Sequence, residues 1–199
     1  VYGSDNAELC LFSLMEAFTL AFPELSTVLH WEHATVDYID VTYTAHCESP
    51  EQAQQCLDAL RNLNYGQTRV SSDHKQFKTT IYFNKGSEHR ELKVYLKDPE
   101  LDTQIQKLTR RWVNEKYDYL AYQLEQITKP AIREWASTAL RFEARLHSRW
   151  LKANGVPCTF AYITDPANQP DFPALWTKAF NDIFKTFAGA TMNAHDKTE

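Results

Sequence analysis

His89-Arg90-Glu91-Leu92-Lys93-Val94-Tyr95-Leu96-Lys97 decides how this chain is read. Leu92, Val94 and Leu96 fall at every second position, so the segment is a strand with one apolar and one polar side. His89, Glu91, Lys93, Tyr95 and Lys97 share the polar side. Asn84-Lys85-Gly86-Ser87 before it is a hairpin turn, with Gly86 free to take positive φ. The turn leads back to residues 77–84, where Phe77, Thr79, Ile81 and Phe83 alternate with Lys78, Thr80, Tyr82 and Asn84.

Two further segments alternate in the same way. In residues 35–45, Ile39, Val41 and Tyr43 turn inward, leaving Tyr38, Asp40, Thr42 and Thr44 outside. In residues 139–146, Phe142, Ala144 and Leu146 turn inward and Arg141, Glu143 and Arg145 outward. A short strand over 67–71 is added to these.

Helices fill the intervals. One runs to about residue 22 and is stopped by Pro23. Ser49-Pro50-Glu51-Gln52 is a capping box that opens a helix burying Ala53, Cys56, Leu57, Leu60 and Leu63. Asp98-Pro99-Glu100 starts helical structure to about residue 128, Pro130 opens another helix, and residues 147–154 form one that Gly155 caps. A Pro-rich loop over 165–173 leads to a last helix over 174–187. This order predicts an α+β fold, an antiparallel sheet of split βαβ type with helices packed on one face. The other face is then free to work.

Charge is distributed to match. The 199 residues carry a net −5, yet residues 1–60 hold ten acids and no Lys or Arg, while residues 61–152 carry a net +7. Such a middle section attracts a polyanion that the average charge would repel. Residues 9–22, interrupted by Glu16, are too short for a membrane span. Four cysteines without CxxC or metal spacing read as reduced thiols. No P-loop, GxGxxG or GxSxG is present, so phosphate cradling and serine hydrolysis have no footing. The chain opens on Val1 and is read as a fragment whose N-terminal part is missing.

The polar faces bring together Asp40, Glu143, Glu91 and His89, and carboxylates with an imidazole make a hard-oxygen site for Mg²⁺ or Mn²⁺. Lys and Arg beside them can hold phosphates, and tyrosines can stack bases. A solvated sheet face would alternate in the same way. His30-Trp31-Glu32-His33 lacks a third metal ligand and reads as surface histidines, and Tyr117, Tyr119 and Tyr122 read as core packing on a helix.

Several ordered blocks carry a resemblance: Tyr38-Ile39-Asp40-Val41-Thr42, Leu60-Arg61-Asn62 with Gly66-Gln67-Thr68, His89 to Lys97 with Glu100-Leu101, and Arg141-Phe142-Glu143-Ala144-Arg145-Leu146 with Arg149-Trp150-Leu151-Lys152. Together with the tail around residues 187–193, they are similar to the gene II/gene X type of filamentous-phage replication initiators. The resemblance implies a rolling-circle nicking endonuclease acting on phage or plasmid origin DNA in the bacterial host cytoplasm, with host helicase and polymerase as further partners and no membrane. It places the nucleophile at Tyr95, with Lys93 and Lys97 beside it, and it implies a divalent ion on Asp40 and Glu143 with His89 as a third ligand. Arg90, Arg141, Arg145, Lys78 and Tyr82 become DNA contacts. The Tyr-x-Lys ending is also similar to plasmid initiators of the Arg-x-Tyr-Asp-Lys type. Two features depart from such proteins: there is no His-hydrophobic-His metal motif, and Tyr38 stands where relatives carry a basic residue. Residues 1–155 are read as the nicking domain and 156–199 as a helical extension packed on it. A non-enzymatic single-stranded-DNA-binding or regulatory fragment, or a metal nuclease using water, would present a similar face.

Overall fold

A computed structural model describes residues 7–62, 70–71, 78–165, 167 and 171–182. After two N-terminal helices, α1 (Ala7–Ala21) and α2 (Pro23–Ser26), and a single turn at Trp31–His33 come β1 (Tyr38–His46) and α3 (Pro50–Asn62). Then follow β2 (Val70–Ser71), β3 (Thr80–Phe83) and β4 (Arg90–Leu96). Three helices, α4 (Lys97–Glu115), α5 (Asp118–Ile127) and α6 (Pro130–Ser137), separate β4 from β5 (Ala139–His147). The chain continues through α7 (Ser148–Ala153) and α8 (Phe160–Thr164) to a helix that occupies residues 172–182.

The five strands form one antiparallel sheet in the order β1-β5-β4-β3-β2, confirming the α+β class. Leu92, Val94, Ile81, Phe83, Ala144 and Leu146 all fall on one face and are buried. Leu57 of α3, Trp150 and Leu151 of α7, and Ala179 close over them, with Leu175, Trp176 and Phe180 packed against the same cluster. At the start of α3 the Ser49 half of the capping box is formed, Gln52 N donating to Ser49 Oγ at 3.2 Å, while the Gln52 side chain reaches one residue further back and accepts from Glu48 N. In the β3–β4 turn both Asn84 (φ 55°) and Gly86 (φ 75°) are left-handed, and Gly155 (φ 76°) ends α7.

Some boundaries move. The first strand begins at Tyr38 rather than residue 35, because Val36 N donates to Cys158 O and Thr35 bridges Thr159, drawing that stretch to another part of the chain. The expected strand over 77–84 shortens to Thr80–Phe83, and its start at Phe77 lies outside the described residues, as does most of 67–71. The final helix starts by residue 172, and its expected end at 187 lies outside them too. The helical break after Glu115 is a left-handed residue, Lys116 (φ 57°). Among the described residues, no helix is long and apolar enough to cross a membrane.

Candidate active site

Strand register sorts the polar face into rows. Asp40, Arg145 and Glu91 lie side by side across β1, β5 and β4. The next row is Thr42, Glu143, Lys93 and Tyr82, and beyond it run Thr44, Arg141, Tyr95 and Thr80. Neighbours within a row are about 4.7–5.5 Å apart and rows about 6.6 Å apart, so every group here is in reach of the next.

Tyr95 is on the expected face but is only 4% exposed. Its hydroxyl donates to Glu143 Oε2 at 3.2 Å, and Lys93 Nζ stands 4.0 Å from its ring centroid. Burial raises the phenol above its ordinary range, the Glu143 charge pushes it the same way, and Arg141 pulls against both. Tyr82 is also raised, by burial first and then by Glu91 and Glu143. Arg141 reaches back to β1, donating to Thr42 Oγ1 at 3.0 Å and to Thr44 Oγ1 at 3.5 Å. Lys97 is held by Glu100 within the first turn of α4.

Asp40 is engaged from β5. Arg145 donates to both its oxygens, at 2.8 and 2.7 Å, a bidentate fork that raises the guanidinium pKa. The same guanidinium covers the Tyr38 ring at 4.3 Å. His89 is exposed in the turn before β4, with its carbonyl accepting from His147 N. Glu91 accepts from Gly86 N at 2.7 Å. Among the described residues, no group of three or more His, Cys, Asp or Glu side chains is placed to hold a metal ion. Asp40, Glu143 and His89 are therefore not brought together, and with Asp40 paired to Arg145 this donor set does not fit a divalent ion as arranged.

The remaining expectations divide. Arg141 and Arg145 join the face, and Tyr82 lies at its edge under Lys85 Nζ, 4.7 Å from the ring centroid. Lys78 is exposed just ahead of β3. Arg90 does not join them: it aligns with Leu146 on the core face and pairs with Asp182 at 2.7 Å, tying the sheet to the last described helix. Tyr117, Tyr119 and Tyr122 are not core residues but exposed ones. Reading the strands singly misses the Asp40–Arg145 and Tyr95–Glu143 contacts. The usable signal is opposite charge on strands sharing one polar face.

A family model for the N-terminal part of a phage replication-associated protein matches residues 1–165. The chain belongs to this family. It is 34% identical over 202 residues to the replication-associated protein of Enterobacteria phage f1, covering 98% of this chain and 49% of the relative. The protein of the same name in Enterobacteria phage M13 gives the same figures, and that of Salmonella phage IKe is 34% identical over 205 residues, 100% of this chain and 48% of the relative. The chain thus spans about half the length of the family members it matches. No solved structure matches it significantly.

Proposed function

We propose that this chain carries the strand-nicking centre of a filamentous-phage replication initiator, acting on origin DNA within a bacterial host. The supporting observation is the hydrogen bond from Tyr95 to Glu143, set in a row with Arg141 and beside Lys93. A neutral phenol is a poor nucleophile, so a base must take its proton as it attacks. Glu143 is within reach to do so. Tyr95 Oη bonds to phosphorus, the bond to the 3′ oxygen breaks, and that oxygen takes the proton Glu143 had received. Arg141 and Lys93 offset charge on the phosphate and the phenolate. The products are a 5′-phosphotyrosine link, which keeps the bond energy for rejoining, and a free 3′-OH. That 3′-OH is what a polymerase extends, which makes host polymerase and helicase the proposed partners.

A denaturing gel with a labelled origin oligonucleotide tests this. A denaturant-resistant adduct is expected, and it should vanish in Tyr95→Phe while DNA binding persists. An adduct that survives in Tyr95→Phe moves the nucleophile elsewhere, to Tyr82 first. Cleavage without adduct indicates a water nucleophile, and binding without cleavage indicates the non-enzymatic alternative. Running the assay with Mg²⁺, Mn²⁺ or a chelator tests separately the divalent-ion dependence that the resemblance implies.

A further inference from the structure

The corner where α4 meets α5 stands clear of the core. Every residue from Thr109 to Tyr119 is exposed, across the last turns of α4, the left-handed Lys116 and the start of α5. Four aromatics gather on it: Trp112 is 38% exposed, Tyr117 56%, Tyr119 50% and Tyr122 63%. Large rings in open solvent lose the burial that ordinarily justifies them.

Their arrangement is specific. The Tyr117 and Tyr119 rings lie nearly parallel, 16° apart in plane with centroids at 5.7 Å. Lys116 Nζ sits 5.0 Å from the Trp112 centroid. Arg111 donates to Tyr119 Oη at 3.1 Å while its fork holds Glu115 at 3.1 and 3.0 Å. Arg110 is exposed on the same turn of α4.

Cations interleaved with flat, solvent-facing rings match a strand whose bases and phosphates are both accessible. A duplex hides its base faces. Arg110, Arg111 and Lys116 outnumber Glu115 and Asp118 in this corner, a charge that complements a polyanionic strand. We propose that the α4–α5 corner is a second binding surface, for single-stranded DNA, on which bases stack against Tyr117, Tyr119 and Trp112. At about 1.5 Å of rise per residue, Trp112 lies about 22 Å along α4 from Lys97, where the helix leaves the strand of Tyr95. The corner therefore holds a stretch of strand remote from the bond under attack. It requires no chemistry at Tyr95.

The test is fluorescence anisotropy of the full chain with an oligothymidylate of about 20 nucleotides, long enough for a stacking site of this kind. Tyr117→Ala/Tyr119→Ala should weaken binding at least about fivefold per stacked base lost. Arg110→Gln/Lys116→Gln should flatten the salt dependence by about 1.4 in log–log slope. Tryptophan fluorescence should be quenched on titration, and Trp112→Phe should remove that component while keeping affinity. Nicking of a short oligonucleotide should be unchanged in the tyrosine variant, so failure of the nicking proposal and failure of this one are separable. Wild-type affinity in the tyrosine variant, or an equal loss on blunt duplex, overturns the proposal. So does a patch that drives self-association by sedimentation while oligonucleotide binding ignores its removal.

Discussion

Tyr95 is caught between burial and a carboxylate that both favour its neutral form, and cations that favour its anion. Below the ordinary phenol pKa of 10.0, folded and unfolded chains hold this proton alike. Above it the unfolded chain gives the proton up and the folded chain retains it, so stability declines as pH climbs from there towards the folded value. Urea midpoints at about pH 9 and about pH 11 should therefore lie further apart in the wild type than in Tyr95→Phe. Burial raises the phenol most and the Glu143 charge adds to it, so in Glu143→Gln an absorbance titration should show Tyr95 ionising at lower pH. The same variant lacks the proton acceptor, and single-turnover nicking should drop by about 100-fold or more. A rate unchanged in Glu143→Gln would remove Glu143 from the reaction.

At the level of elements, α3 holds the sheet from behind. Leu57 is fully buried among Ile81, Leu92 and Val94, so Leu57→Ala should cost about 2–5 kcal/mol in denaturant unfolding. Arg61, one turn on, is buried with its guanidinium on Lys78 O at 2.8 Å and on Asp58, anchoring the approach to β3. The facing of the strands is legible in the sequence because side chains alternate with period two whatever the register. Helix starts are legible too, since capping boxes and Pro act locally. The register is not: Asp40 and Arg145 are 105 residues apart, and nothing local says which β5 residue lies opposite Asp40. The burial of Tyr95 is hidden for the same reason, being made by Glu143, Arg141 and Lys93 once the strands pair. Tyr117 and Tyr119 mislead in the other direction, since helical spacing cannot tell a core face from a corner that projects.

At the scale of the whole molecule, the proposed DNA binding rests on charge. The cationic residues cluster in 61–152, and the acid-only stretch is confined to 1–60. Each phosphate neutralised releases counterions, so affinity for DNA should fall steeply with salt. Arg141→Ala should reduce the log–log slope by about one and weaken binding to all sequences alike. Affinity indifferent to salt, measured by filter binding between about 50 and 200 mM, would refute an electrostatic footprint.

β5 is the last strand among the described residues yet lies second in the sheet, between β1 and β4. During synthesis, β1 has no strand to pair with until Ala139–His147 has left the ribosome, and Asp40 and Tyr95 wait on that same segment for Arg145 and Glu143. Insertion of one late strand therefore completes the sheet and the candidate centre together, a long-range closure that is slow among folding events. A nascent chain stopped at residue 137 should accordingly be both unfolded in its sheet and unable to cut. On the proposed function, the order of translation withholds cutting until the whole sheet is made.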